Sequence, residues 1–110
     1  MSGRDLPPIQ TTRGDCPDLD PQIDSFVLEL GSIVDAFQDA EVEGQREEIA
    51  ALAHDLASRA IVLGFAPIAE SARRVSEAVV ERNREALHKA VVDLTEVALR
   101  VRRGHRSAAI

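Results

Sequence analysis

The stretch IAALAHDLASRAIVLG, residues 49–64, has the apolar spacing of one amphipathic helix that ends at a glycine. On a helical wheel at about 100° per residue, its core-type side chains fall within a narrow arc. The members of this arc are Ile49, Leu52, Leu56, Ala60 and Leu63. Gly64 follows the last of them, where a residue at positive φ can end a helix without a steric penalty. The stretch therefore predicts a helix from about 44 to 63.

Upstream of this helix, the chain changes from an aperiodic to a periodic pattern. Residues 1–19 carry prolines and glycines among polar residues and show no period, so we expect a flexible, disordered tail. Asp20 as an N-cap and Pro21 at the first helical position then predict the start of a helix over 21–38. The acidic segment 39–44 is expected to connect this first helix to the second.

Two further helices are predicted downstream of Gly64. The third has Pro67 in its first turn and an apolar stripe that ends near Arg82. Asn83 is a suitable N-cap for a fourth helix, which is predicted to run to Gly104. We expect the last residues, 105–110, to form a frayed tail.

The fold class follows from these four segments. The chain has 110 residues and only three aromatic side chains, all Phe, so its core must come from Leu, Ile, Val and Ala, which favours packed helices. Short connections make consecutive helices neighbours, and the prediction is one all-α domain over 20–104, an antiparallel up-and-down four-helix bundle. About 84 ordered residues can close such a core alone.

Charge and cysteine content exclude several classes of function. The formal net charge is −6 and the isoelectric point about 5.0, with no Trp or Tyr, which argues against nucleic-acid binding. No window approaches the roughly 18 apolar residues of a membrane span, so no membrane association is expected. A single cysteine, Cys16, excludes an intrachain disulfide and a cysteine metal site, and we expect a cytoplasmic protein.

His54 is the residue of the second helix that is best placed for chemistry. It lies roughly 140–150° from the centre of the apolar arc and should therefore face solvent. Its neighbours at i±3 and i±4 are unusually small for an exposed helix face. They are Ala50, Ala51, Ala57 and Ser58, which we call the collar, and Ile61 lies one turn further on. The collar would let a partner approach the imidazole closely. The alternative is an ordinary surface histidine among alanines that simply favour helix formation.

At this position the sequence resembles the histidine-containing phosphotransfer (HPt) domains of bacterial multistep phosphorelays. That family has its phosphoacceptor in the second helix of a four-helix bundle, in a run Ala-His-x-Leu-Lys-Gly with a glycine ten residues after the histidine. Here Ala53 and His54 are followed by Leu56, and Gly64 lies ten residues after the histidine. The resemblance covers about residues 21–103. The family's Lys and Gly are replaced by Ala57 and Ser58, so the cation that helps neutralise the phosphoryl group is absent.

The resemblance implies a phosphocarrier rather than a turnover enzyme. Nε2 of His54 would accept a phosphoryl group from a receiver-domain phosphoaspartate and pass it on, because a neutral imidazole is an available nucleophile near pH 7. The expected partners are a response-regulator receiver domain, a hybrid histidine kinase or both. The chain itself would need no cofactor, since Mg²⁺ is expected on the partner receiver.

Two alternatives remain open on the sequence. The replacements at Ala57 and Ser58 favour an HPt-like module that docks on a receiver or kinase and regulates it without accepting phosphate. A structural bundle that dimerises through Ile61 and Val62 is the other alternative, whereas the phosphocarrier itself is expected to be a monomer. A transfer assay on paired wild-type and His54→Ala protein tests the phosphocarrier most directly, and a concentration-dependent mass in ultracentrifugation would indicate the dimerising bundle.

Overall fold

The computed structural model describes residues 7–13 and 17–108 of the chain, with side chains through His105; Cys16 lies outside these ranges. All regular structure in the described part is helical. A 3₁₀ turn over Pro17–Leu19 leads into four α-helices. These are α1 (Asp20–Glu43), α2 (Arg46–Val62), α3 (Ala66–Glu81) and α4 (Arg84–Ala108). The all-helical, four-helix fold class is therefore confirmed.

The four helices enclose one hydrophobic core. Helix α2 packs most extensively on α3, α3 on α4, and α1 packs on both α4 and α2. All three phenylalanines, Phe26, Phe37 and Phe65, are fully buried in this core, and the rings of Phe26 and Phe65 stack with centroids 5.6 Å apart. Aliphatic side chains from all four helices fill the remaining space, as the composition predicts. Among the described residues, none of the helices combines the length and the hydropathy that a membrane span requires.

Helix α1 differs from its prediction at both ends. It does not end at residue 38, because Ala40 continues the buried stripe and Gly44, at φ 70°, closes the helix two turns later. Gly44 therefore terminates α1 and does not begin α2, which starts at Arg46. Asp20 is not the N-cap: the 3₁₀ turn leaves Leu19 in a helical conformation at that position, with no side-chain capping bond. Pro21 does lie in the first turn.

The second half of the chain follows its prediction more closely. Pro67 lies in the first turn of α3, and the side-chain oxygen of Asn83 accepts a hydrogen bond of 3.0 Å from the Ala86 amide, as an N-cap does. The predicted end at Gly104 is wrong. Helix α4 passes through this glycine to Ala108, so that His105 belongs to a helix rather than to a frayed tail.

Residues 7–13 lie against the bundle, so the expectation of a flexible tail over 1–19 is not confirmed. Ile9 is buried, and its amide donates a hydrogen bond of 3.0 Å to the Arg100 carbonyl. Gly104 permits this contact, because a Cβ at that position would collide with the Ile9 carbonyl oxygen. A glycine inside a helix normally destabilises it relative to alanine. Here the absence of a side chain makes room for the backbone of Ile9.

Candidate functional site

The buried face of α2 determines which way His54 points. Ile49, Ala53, Leu56 and Ala60 recur at three- and four-residue spacing and are all buried in the core. A helix fixed on this face must present the opposite one to solvent. His54 lies on that opposite face and is exposed.

The four collar residues surround His54 as the helical spacing predicts, but they differ in burial. Ala51 and Ser58 are exposed, whereas Ala50 and Ala57 are half-buried. The Ser58 hydroxyl donates a hydrogen bond of 3.1 Å to the His54 carbonyl, one turn back along the same helix. The hydroxyl is thus held against the backbone. No collar side chain extends further than a hydroxymethyl group, which leaves the imidazole accessible to a large partner.

One turn beyond the collar, the surface becomes apolar. Ile61 is 62% exposed and Val62 58% exposed, near the C-terminal end of α2. An open cleft between α1 and α2 lies beside them and includes Ser58 and Arg59. His54 does not line this cleft. The imidazole therefore stands on an open convex surface, and any chemistry at this position needs a second molecule to exclude water and to position the reacting group.

The imidazole of His54 has no side-chain partner in the described part of the chain, unlike the other two histidines. His88 Nδ1 lies 3.0 Å from a Glu41 carboxylate oxygen, and His105 Nε2 lies 2.9 Å from Asp24. Both pairs join α4 to α1. Among the described residues His54 is thus the histidine whose two ring nitrogens are both free to meet a partner.

Arginines near the site do not replace the lysine of the family motif. Arg59 donates to Glu29 of α1 at 2.8 Å, and its guanidinium lies over the Phe26 ring at 5.1 Å. Both contacts direct Arg59 away from the collar. On α3, Arg73 and Arg74 form ion pairs with glutamates of their own helix, at 3.3 to 3.8 Å. Each of these three guanidinium groups is therefore paired with an acidic side chain.

Gly64, the glycine ten residues after His54, has a structural role. It adopts φ 81°, a conformation that side chains rarely tolerate, and so lets the chain turn from α2 into α3. Its carbonyl accepts a hydrogen bond of 3.0 Å from the Thr12 amide, and the Thr11 hydroxyl donates to the Leu63 carbonyl. The N-terminal segment therefore closes the C-terminal end of α2.

Sequence reasoning missed this contribution from Thr11 and Thr12. Two signals pointed to it: the isolated apolar Ile9 in a polar segment, and the glycine at position 104 within an otherwise strong helical pattern. Either one alone is compatible with a loop or a helix end. That Ile9 packs beside Gly104 becomes apparent only in the structure, where the N-terminal segment lies next to α4.

The described residues do not form a metal centre. No group of three or more His, Cys, Asp or Glu side chains within 7–13 and 17–105 is placed to hold a metal ion. Comparisons with protein-family models, with curated proteins and with solved structures find no match to this chain. A functional proposal must therefore rest on the geometry around His54 and on the sequence that produces it.

Proposed function

We propose that this protein is a histidine phosphocarrier of the HPt type, with His54 as its phosphoacceptor. The observation that carries the proposal is the exposed, unpaired imidazole in the middle of α2, surrounded by side chains no larger than serine. A group that must enter the active site of another protein needs this kind of clearance. The partner would be a receiver domain, alone or within a hybrid histidine kinase, in the cytoplasm.

The proposed reaction is a transfer between two proteins. The lone pair of Nε2 attacks the phosphorus of a receiver phosphoaspartate, an N–P bond forms, and the P–O bond to the aspartate breaks with its electron pair leaving on the carboxylate. Reversal of the same step passes the group to a second receiver. Phosphoryl transfer depends mainly on positioning and on charge neutralisation, which the receiver's Mg²⁺ and lysine would supply. The present chain contributes the nucleophile and access to it.

An antiparallel up-and-down order of the helices is part of the proposal. Short turns connect the helices, with two residues between α1 and α2, three between α2 and α3, and two between α3 and α4. Contacts across the α1–α4 interface run in opposite directions along the two helices, because Gln38 meets Thr95 whereas the later Glu41 meets the earlier His88. This order gives His54 a rigid support, since α2 then packs between α1 and α3.

The test is transfer of an acid-labile label from a phosphorylated receiver domain. We expect wild-type protein to acquire the label and His54→Gln to acquire none. His88→Gln is the matched control, because it removes another exposed histidine, and it should be labelled like wild type. Equal labelling of His54→Gln and wild type would contradict the proposal. The proposal would also be contradicted if no phosphorylated receiver domain labels the wild-type protein.

A second candidate function is a docking module that regulates a receiver or kinase without accepting phosphate. The engagement of Arg59 by Glu29 and Phe26 favours it, because the collar then has no cation to hold a phosphoryl group. Binding measurements separate the two functions. A pure docking module keeps nearly its full affinity for the partner in His54→Gln and is never labelled, whereas the phosphocarrier is labelled on His54.

A further inference from the structure

A cleft at one end of the bundle lies between the turn that connects α1 to α2 and the turn that connects α3 to α4. Its volume is about 690 Å³, and small-molecule sites have volumes of roughly 300–1,000 Å³. Part of its lining is apolar, because the buried side chains of Ile49, Ala78 and Leu87 reach it. The cleft is separate from the surface around His54, which does not line it.

Three arginines line this cleft, and we call them the cleft arginines. They are Arg46, Arg82 and Arg84, and all three are exposed. Among the described residues, none of their guanidinium groups forms an ion pair or a side-chain hydrogen bond. By contrast, Arg73 and Arg74, earlier on α3, each pair with a glutamate. The cleft therefore holds three guanidinium groups whose donors are available to a ligand.

Helix stability does not explain the positions of the cleft arginines. Arg46 and Arg84 are the first residues of α2 and α4, where the helix dipole disfavours a positive charge. Arg82 has a φ of 56°, a left-handed conformation that glycine usually adopts at the end of a helix. Three positions at which another residue type would suit the backbone better thus lie around one cleft. Their common feature is a positive charge beside the same cavity.

Two carboxylates also line the cleft and oppose the binding of an anion. Glu41 contacts His88 at 3.0 Å, and Glu43 is the exposed last residue of α1. Other acidic residues that are close in the sequence do not line the cleft; these are Glu47, Glu48, Glu81 and Glu85. The lining therefore carries three cations against two anions, in a chain whose formal net charge is −6.

We propose that this cleft binds a small organic phosphate, a phosphate monoester with an apolar body. A phosphate monoester brings about two negative charges and three acceptor oxygens near neutral pH, whereas a carboxylate brings about one charge and two oxygens. The cleft arginines bind the phosphate oxygens through charge-assisted hydrogen bonds. The apolar body packs on Ile49 and Leu87. Binding does not require His54, which lies about 12 Å from Arg46 along α2.

Isothermal titration calorimetry of the full chain with naphthyl phosphate tests the proposal. We expect saturable binding that weakens as the salt concentration rises, because salt screens the charges of the exposed arginines. Arg84→Gln should raise the dissociation constant by about tenfold, since a charge-assisted hydrogen bond is lost. Glu43→Gln should lower it, because a like charge is removed from the lining. Inorganic phosphate, which has no apolar body, should bind more weakly than naphthyl phosphate.

Three matched variants make the result specific. Arg74→Gln removes an arginine that does not line the cleft, and His54→Gln removes the imidazole of α2; both should bind naphthyl phosphate like wild type. Arg82→Gly separates binding from folding. It relieves the backbone strain at φ 56° and should not lower the thermal midpoint, yet it should weaken binding by about tenfold.

The position of the bound ligand is a further readout. On addition of naphthyl phosphate, the largest changes in amide chemical shift should occur around Arg46 and Asn83, at the two turns that border the cleft. The proposal is overturned if naphthyl phosphate does not bind at millimolar concentration, or if the largest shifts occur around His54. It is also overturned if Arg74→Gln weakens binding as much as Arg84→Gln, or if inorganic phosphate binds as tightly as naphthyl phosphate.

Discussion

The two faces of α2 differ in what their alanines do. Ala53 and Ala60 are buried in the core on one face, whereas Ala51 is exposed beside His54 on the other. On the buried face, small size sets how closely α2 approaches its neighbours. On the exposed face, small size leaves room above the imidazole. Alanine therefore occurs on both faces, and its position in the helical register determines whether it contributes to the packing of the core or to the surface around His54.

The largest effect is expected from a loss on the buried face. Leu56→Ala removes a fully enclosed side chain and should lower the free energy of unfolding by about 2–5 kcal/mol, because the cavity it leaves can relax only partly. Urea denaturation measures this directly. Ile61→Ala, the control on the exposed face, should change stability by no more than about 0.5 kcal/mol. Similar losses in both variants would mean that α2 has no distinct buried face.

A smaller effect is expected at the end of α2. Gly64→Ala should cost on the order of 1–3 kcal/mol, because alanine is strained at φ 81° and its Cβ would lie 2.7 Å from the Thr12 hydroxyl. Hydrogen exchange should also show that the Thr12 amide, bonded to the Gly64 carbonyl, loses protection.

Gly44→Ala is the matched control for this position. Gly44 has a similar φ of 70°, but a Cβ there would meet no atom within 4 Å. We expect a comparable backbone penalty with no change in Thr12 protection. Equal loss of Thr12 protection in both variants would contradict the account of how residues 7–13 are held.

Much of the fold could be predicted from the sequence because the determinants are local. The apolar period, Pro67 and the Asn83 cap each act within one helix, and the structure confirms them. The errors come from contacts between distant segments. The sequence predicts a loop after residue 38, because it does not show that Glu41 will pair with His88 of α4. It predicts a helix end at Gly104, because it does not show that the Ile9 backbone will occupy the space beside this glycine.

The candidate site is also partly local. The spacing of Ala50, Ala51, Ala57 and Ser58 around His54 follows from one helix, so the sequence alone predicts the collar. The position of the Arg59 guanidinium, by contrast, cannot be predicted from α2 alone. Arg59 contacts Glu29, 30 residues earlier in the chain, and the Phe26 ring. Both partners belong to α1, and only the packing of α1 on α2 brings them close to Arg59.

On the exposed face, a change that hardly affects stability should affect transfer. Ser58→Glu places a negative side chain one turn from His54, where it obstructs the partner and repels the phosphoryl group. We expect the unfolding free energy to change by no more than about 0.5 kcal/mol and the transfer rate to fall by on the order of tenfold. Ser32→Glu, an exposed serine of α1, should leave the rate unchanged. Equal rates in both variants would exclude the collar as the docking surface.

The smallest effect is expected from restoring the lysine of the family motif. Ala57→Lys supplies a cation three residues from His54, which should raise the transfer rate by about three- to tenfold through attraction to the phosphoryl oxygens. Ala57→Gln, with a long side chain but no charge, should give no increase. If both variants behave alike, positive charge at this position does not limit the reaction.

Locating the phosphoryl group on the protein tests His54 as the phosphoacceptor most directly. Wild-type protein is incubated with a phosphorylated receiver, digested at neutral to alkaline pH, where a phosphoramidate survives, and analysed by tandem mass spectrometry. We expect one phosphohistidine, at His54, which persists in His88→Gln and is absent from His54→Gln. Phosphate on His88 or His105, or on a residue other than histidine, would contradict the assignment of His54 as the phosphoacceptor.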